Sequence, residues 1–318
     1  MVEPRLMRLM ALSVFAAVLN LGLKSVAYAV TGSVGLLADA GESVVNLVAA
    51  LAALVSLWYA GQPVDKEHTY GHEKIEFFSS GLEGMLILIA AGGIAWLAVR
   101  RLFVPQELES LDIGSAFTLL ATLVNLVVGQ VLLRAGRQAR SIVLEADGHH
   151  LMTDVYTSAG VLVGLALVWL TGHAWIDAAV ALVVAAHIGW TAFGLIHRSF
   201  DGLMDRALPE SEQAKVRAAI EGVLAPGMDY HALRTRQAGA HRFADFHLLV
   251  PGSFTVSRAH ALMERIEEAV QGALPGIEVT VHVEPIEDRA AYEDSALLPL
   301  ERAARQAEAE RGPEAPPG

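Results

Sequence analysis

Cysteine is absent from the 318 residues. That excludes disulfides, thiolate metal sites, iron–sulfur clusters and a cysteine nucleophile. Charge is scarce as well. Asp, Glu, Lys and Arg make up 18% of the chain, against about 25% in an average soluble domain. Basic residues are the scarcer sign, 23 against 35 acidic, for a net charge of −12. Such a chain repels a phosphate backbone, so nucleic acid is excluded as a partner. Apolar residues fill the gap: 53% of the total, with a mean hydropathy of +0.43. Disorder over most of the length is excluded too. Any bound metal must be held by His, Asp, Glu or Asn.

Six apolar runs lie in the first 205 residues, at roughly 6–30, 33–60, 78–101, 112–134, 144–171 and 175–198. A bilayer-spanning helix needs about 20 mostly apolar residues, so each run predicts a transmembrane helix. Only Thr31-Gly32-Ser33 separates the first two. They should form a tight hairpin, and no cleavable signal peptide is expected. Lys and Arg near the span ends set the orientation. With the N-terminus inside, the inner flanks carry Arg5, Arg8, Lys66, Lys74, Arg134, Arg137, Arg140, Arg198 and Arg206. The outer flanks carry only Arg100 and Arg101, so both termini should face the cytoplasm. Gly81, Gly84, Gly92 and Gly93 in the third run predict close helix packing.

From residue 206 the pattern changes. Leu208-Pro209-Glu210-Ser211 reads as a helix start, with the helix running to about Leu224. Tyr230–Gln237 and Arg242–Val250 read as a strand pair around Gly239. Ser257–Ala273 is an amphipathic helix stopped by Pro275-Gly276, and Glu278–Glu284 alternates as a third strand. The order αββαβ predicts a small two-layer, ferredoxin-like α+β domain over 206–289. Residues 290–318, rich in Ala, Glu, Arg and Pro, predict a flexible tail.

Ionisable groups inside the spans carry the functional signal, because a charge at mid-bilayer costs at least ~2.5 kcal/mol. The second span holds Asp39, Glu42 and Asn46; the fifth holds Asp147, His149, His150 and Asp154. Residues four apart share a helix face. Glu42 therefore lies above Asn46, and His150 above Asp154. If those faces meet, four N/O donors converge, which suits a divalent cation in tetrahedral geometry. Imidazole favours zinc over calcium or magnesium. The competing reading is two polar faces pairing as interhelical glue. Asp65, His68 and His72 place three more donors within eight residues of one loop, enough to bind zinc with a water. A solvated polar loop is the alternative. His231, His247, His260, His282 and Glu284 are scattered over the soluble domain; spacing alone cannot group them, although His282 and Glu284 share a strand face. His187 reads as a packed histidine. Glu83 either pairs with another helix or lines a cavity.

Several runs together resemble the cation diffusion facilitators, of the bacterial zinc/iron type. These are Thr31-Gly32-Ser33 through Leu37-Ala38-Asp39-Ala40, Tyr70-Gly71-His72-Glu73-Lys74, Glu145-Ala146-Asp147-Gly148-His149-His150 with Asp154, and Leu203-Met204-Asp205-Arg206-Ala207-Leu208-Pro209. The resemblance covers roughly residues 8–286. It implies a homodimeric, non-enzymatic transporter in the plasma (inner) membrane that exports zinc or a related divalent ion in exchange for protons. It divides the chain into a transport domain (1–205), a cytoplasmic metal-binding dimerisation domain (206–289) and the tail.

The resemblance implies a transport site at Glu42, Asn46, His150 and Asp154. The span-five pair fits the family pattern. The span-two pair departs from it, since Asp or His followed by Asp is usual. With His neutral, the four ligands carry −2 instead of −3. Asp39, one turn earlier, either supplies the missing charge or supports the ligands from outside. Zinc is the leading substrate, with iron(II), manganese, cobalt and cadmium as alternates. The resemblance also implies a minor metal site at Asp65, His68 and His72. It implies a charge interlock between Lys74 and Asp205 that ties the dimer, although Lys74 also reads as a plain positive-inside residue. Finally it implies a two-zinc regulatory site at His231, His247, His260, His282 and Glu284, with Glu284 bridging.

The expected mechanism is alternating access. Ligands must lose protons to bind metal, and imidazole, with an unperturbed pKa near ~6.5, suits the coupled proton. The rival reading is a membrane-anchored metal sensor or scaffold that binds without transporting. An intramembrane metallo-hydrolase is disfavoured, because no His-Glu-x-x-His pattern occurs.

Overall fold

The computed structural model describes residues 4–31, 34–103, 113–173 and 175–292. The chain divides after Met204 into two compact units.

The first unit is six long helices: α1 (Pro4–Thr31), α2 (Val34–Ala60), α3 (Ile75–Phe103), α4 (Ile113–Ala139), α5 (Ile142–Thr171) and α6 (Trp175–Leu203). Each has 27–30 residues. At 1.5 Å per residue they are about 40–45 Å long, more than a bilayer core needs. Among the described residues, five of them contain a window apolar enough to span a membrane. The sixth, α5, is also long enough; Glu145, Asp147, His149, His150 and Asp154 lie in its first half, and the sequence from 155 to 171 carries no charge. Ile89, Val183 and Trp190 are at least 71% exposed, as side chains meeting lipid should be.

Two buried clusters hold the helices together. One joins Leu6 and Met10 of α1, Leu57 of α2, Leu132 of α4 and Leu144 of α5. The other joins Phe77 and Ile87 of α3, Ile142 and Ala146 of α5, and Ile188 and Leu195 of α6. Because α5 contributes to both, its polar face is held from two sides. The α4–α5 approach depends on glycine: a Cβ at Gly148 would meet Leu133 Cγ at 2.8 Å and the Gly129 carbonyl oxygen at 3.1 Å. Gly81 and Gly84 likewise let α3 approach Ser199 and Ile196 of α6. Among the described residues of the single chain, a Cβ at Gly92 or Gly93 would meet nothing within 4 Å.

The second unit runs α7 (Glu210–Glu221), β1 (Asp229–Ala238), β2 (His241–Val250), α8 (Val256–Ala273) and β3 (Ile277–Pro285), which is the expected αββαβ order. The sheet order is β1-β2-β3, with β1 antiparallel and β3 parallel to β2. Its core packs Val216 and Ile220 of α7, Phe246 and Leu248 of β2, and Ile266 and Val270 of α8. Each such side chain contributes roughly 1.5–3 kcal/mol when fully buried. Thr255 caps α8 by accepting from the Arg258 N–H, and Gly276 turns the chain with φ +80°. Helix α7 stops at Glu221 rather than Leu224. Gly222 forms the cap there, its N–H bonded to Ala218 O, and Pro226 disfavours helical geometry in the residue before it. Residues 290–292, at the start of the expected tail, form a short 3-10 turn with Ala291 buried. The rest of that tail lies outside the described residues.

Candidate metal centres

Helices α2 and α5 meet at the polar positions singled out by the four-residue spacing. Asn46 Nδ2 donates to Asp154 Oδ2 at 3.1 Å. That leaves the Asn46 amide oxygen facing α5, where it lies 2.8 Å from His150 Nε2. An imidazole nitrogen, an amide oxygen and a carboxylate thus share one half-buried spot. A divalent cation can replace the hydrogens that now bridge them. The backbone of Asp39 and Glu42 belongs to α2, with Glu42 one turn before Asn46, but both side chains lie outside the described residues.

Neutral amides extend the network beyond what the sequence reading named. Asn125 of α4 donates to Asp154 Oδ2 at 2.9 Å, and Asn20 of α1 donates to Asn125 Oδ1. Both are buried. The sequence signal is an Asn inside an apolar run; unlike Asn46, neither Asn20 nor Asn125 has an acid or histidine a turn away on its own helix. Lys24 of α1, 8% exposed, is a further buried polar residue of the helical unit. Glu83 of α3 reaches the other edge of the His150 ring, with Oε1 4.0 Å from Nδ1. His187 stands edge-on to Tyr156, with ring centroids 5.1 Å apart.

In the loop between α2 and α3, Asp65 gathers its two histidines. Its Oδ1 accepts the backbone N–H groups of His68 and Glu67 at 2.7 and 2.8 Å. The same oxygen lies 3.2 Å from His68 Nδ1, and Oδ2 lies 3.1 Å from His72 Nε2. Ligand atoms of all three residues lie within 4.8 Å of one another. His72 is buried against the Tyr59 ring. The His68 N–H is the chief reason that the Asp65 carboxyl is pulled down to about 2 from an ordinary 3.8, against a smaller opposing effect of desolvation. The sign is that of a depressed acid. The support that ionised Asp65 lends the turn is complete above pH 3.8 and is lost as pH falls through about 2. Asp65 therefore stays charged and available to a cation from neutral pH down to well under 3.8. Asp65→Ala should remove donor and anchor together. We expect zinc affinity of the loop, measured by titration of the detergent-solubilised chain, to fall at least tenfold, the low end for losing even an outer metal-site partner, about 10–100-fold.

In the second unit the strand register does the gathering. His231 pairs across from His247, and His247 from His282, so three imidazoles form a row over β1, β2 and β3. Glu284, two residues beyond His282 on the same face, is 7% exposed. Its Oε2 lies 3.1 Å from His231 Nε2 and 3.2 Å from His247 Nδ1. Its Oε1 lies 3.5 Å from His282 Nε2. A bulge between His231 and Arg234, with Ala232 at φ 54°, interrupts the ladder just after His231; such bulges re-aim neighbouring side chains. Tyr292, from the 3-10 turn, stands edge-on to His231. His260 does not join the group. It lies on α8, 66% exposed in its side chain, 3.4 Å from Glu264. The strand register brings the other four together within the single chain, and His260 is not among them.

Lys74 immediately precedes α3 in the first unit. Asp205 opens the second, where Arg236 Nη1 stands 3.7 Å from its Oδ1.

An apolar helical unit with polar faces meeting inside it, joined to a small αββαβ unit with a histidine–carboxylate cluster, defines a membrane metal transporter. Residues 10–204 match the cation efflux transmembrane domain and residues 208–286 the cytoplasmic domain of cation efflux proteins. The chain belongs to the cation diffusion facilitator family. It is thus an integral membrane protein for divalent metal efflux and not an enzyme. It is 46% identical over 288 residues to an uncharacterized transporter of Synechocystis sp., covering 91% of this chain and 93% of that protein. It is 35% identical over 291 residues to the cation-efflux pump FieF of Serratia proteamaculans, covering 89% and 95%. The metal-bound C-terminal domain of the CzcD transporter from Thermotoga maritima is 29% identical, covers 26% of this chain and 99% of its own, and superposes with a TM-score of 0.23.

Proposed function

We propose that the chain exports zinc from the cytoplasm in exchange for protons, acting as a homodimer in the plasma membrane with both termini inside. The observation that carries this is the contact of Asn46, His150 and Asp154 between α2 and α5. Glu42, one turn before Asn46, is the proposed fourth ligand, and Asp39 its support. An imidazole in the set favours zinc; the neutral amide at Asn46 leaves room for iron(II), manganese, cobalt or cadmium. Ligands that must be deprotonated to hold metal make it compete with protons at one place. That competition is the proposed coupling under alternating access.

Residues 1–205 are the proposed transport domain and 206–289 the cytoplasmic domain that dimerises and senses metal. His231, His247, His282 and Glu284 form its proposed regulatory site. Asp65, His68 and His72 form a proposed minor site, and Lys74 with Asp205 a proposed interlock.

The test is uptake into proteoliposomes from a panel of divalent ions, with and without an imposed pH gradient. Zinc flux should rise with an opposing proton gradient. Flux indifferent to the gradient rejects exchange, and metal binding without flux favours a sensor. Asn46→Asp should shift the panel toward zinc by restoring the missing charge. An unchanged order of metals removes position 46 from selectivity.

A further inference from the structure

We propose that Glu83 of α3 is the positioning carboxylate of the transport site, holding His150 so that Nε2 faces the metal. This rests on the reading of Asn46, His150 and Asp154 as that site. Glu83 lies within α3 and is 4% exposed. A carboxylate at such a depth is expensive and marks a functional position. Its Oε1 is buried and makes no hydrogen bond among the described residues, yet it lies 4.0 Å from His150 Nδ1.

The two nitrogens of one ring therefore look in opposite directions. Nε2 faces Asn46 of α2 at 2.8 Å, and Nδ1 faces Glu83 of α3. A neutral imidazole carries one proton, and a metal takes the bare nitrogen. For Nε2 to bind metal, the proton must sit on Nδ1. A carboxylate on that side fixes both the tautomer and the ring plane. The present gap is roughly 1 Å beyond a charge-assisted hydrogen bond, within reach of a small side-chain rotation.

The scaffold is closely packed at this point. Ile87, one turn after Glu83, shares a buried cluster with Ala146, one turn before His150. Gly84 seats α3 tightly on α6. Charge gives a second reason. Asn46 is neutral, and with a dication bound an ionised Glu83 on a third helix would supply a negative charge acting through the imidazole.

The experiment is zinc uptake by the full chain in proteoliposomes, fitted for KM and Vmax. Glu83→Gln keeps the shape and removes the charge. It should raise KM about tenfold, within the range for losing a partner behind a metal-bound His, with Vmax within about twofold. Adding Asn46→Asp to Glu83→Gln should bring KM most of the way back, which repair of a packing defect would not do. KM unchanged in Glu83→Gln, or a rise that Asn46→Asp fails to reverse, overturns the proposal. Should Glu83→Gln fail to reconstitute, Glu83→Asp decides: withdrawing the carboxylate by one methylene must raise KM severalfold, and an unchanged KM overturns the idea. Asp154→Ala run alongside separates the failures. If it leaves flux intact, the site reading falls; if it abolishes flux while Glu83→Gln matches the native chain, only the role of Glu83 falls.

Discussion

Asp154→Ala should abolish metal flux in proteoliposomes, by about 100-fold or more, because the loss exceeds the 10–100-fold typical of an outer partner alone. Asp154 is where the membrane network converges. Its Oδ2 accepts from Asn46 of α2 and Asn125 of α4. Among the described members of the α2–α5 contact it also carries the one full negative charge, since Asn46 is an amide and His150 an imidazole. Removing it takes away the strongest attraction for a dication and leaves two amide donors, half-buried Asn46 and buried Asn125, facing a gap. Leaving a buried polar group unsatisfied costs about 1–3 kcal/mol, so the variant should be somewhat less stable yet still insert. Asp154→Asn separates the two effects. It keeps the volume, removes the charge, and should be nearly as inactive with less loss of stability. His150→Ala should be similarly silent, because no other imidazole reaches Asn46 among the described residues. Native-like flux in Asp154→Asn, with the chain folded and dimeric by size-exclusion chromatography, would sink the site.

Much of this architecture was legible because membrane helices are written in long apolar runs and strands in alternation. Val279, Val281 and Val283 against Thr280, His282 and Glu284 mark β3 and its two faces in the sequence alone. The four-residue helix rule put His150 over Asp154, and the structure brings both to Asn46. What stayed hidden was which helix meets which. Hydropathy assigns spans but not neighbours, so Asn20 and Asn125, lone amides in apolar stretches, gave no sign that they feed Asp154. Glu83 was visible as a lone acid, but its facing His150 depends on how α3 packs against α5. The glycines taught the same lesson. A Cβ at Gly81 or Gly84 would meet α6, while one at Gly92 or Gly93, in the same run, would meet nothing within 4 Å among the described residues. Pattern alone cannot tell a packed face from a lipid-facing one.

The soluble cluster shows the limit most clearly, and it supports the second large effect. His231, His247, His282 and Glu284 span more than fifty positions, and only strand register makes them neighbours. Glu284 is the centre, with one oxygen toward His231 and His247 and the other toward His282. Zinc added to the full chain should therefore raise the unfolding temperature of this unit, since a ligand at about 100 times its Kd stabilises by about 2.7 kcal/mol. Glu284→Ala should erase that shift, because no other carboxylate is seen within reach of all three rings among the described residues. His282→Ala should lose less, its ring being 66% exposed and its nitrogen the farthest of the three from Glu284. His260→Ala should lose nothing in a single chain, because its ring sits beside Glu264 on α8. The graded series, followed by differential scanning calorimetry with and without zinc, distinguishes a cluster centred on Glu284 from histidines that bind metal independently. Equal losses for His260 and His282 would mean that the register does not define the site.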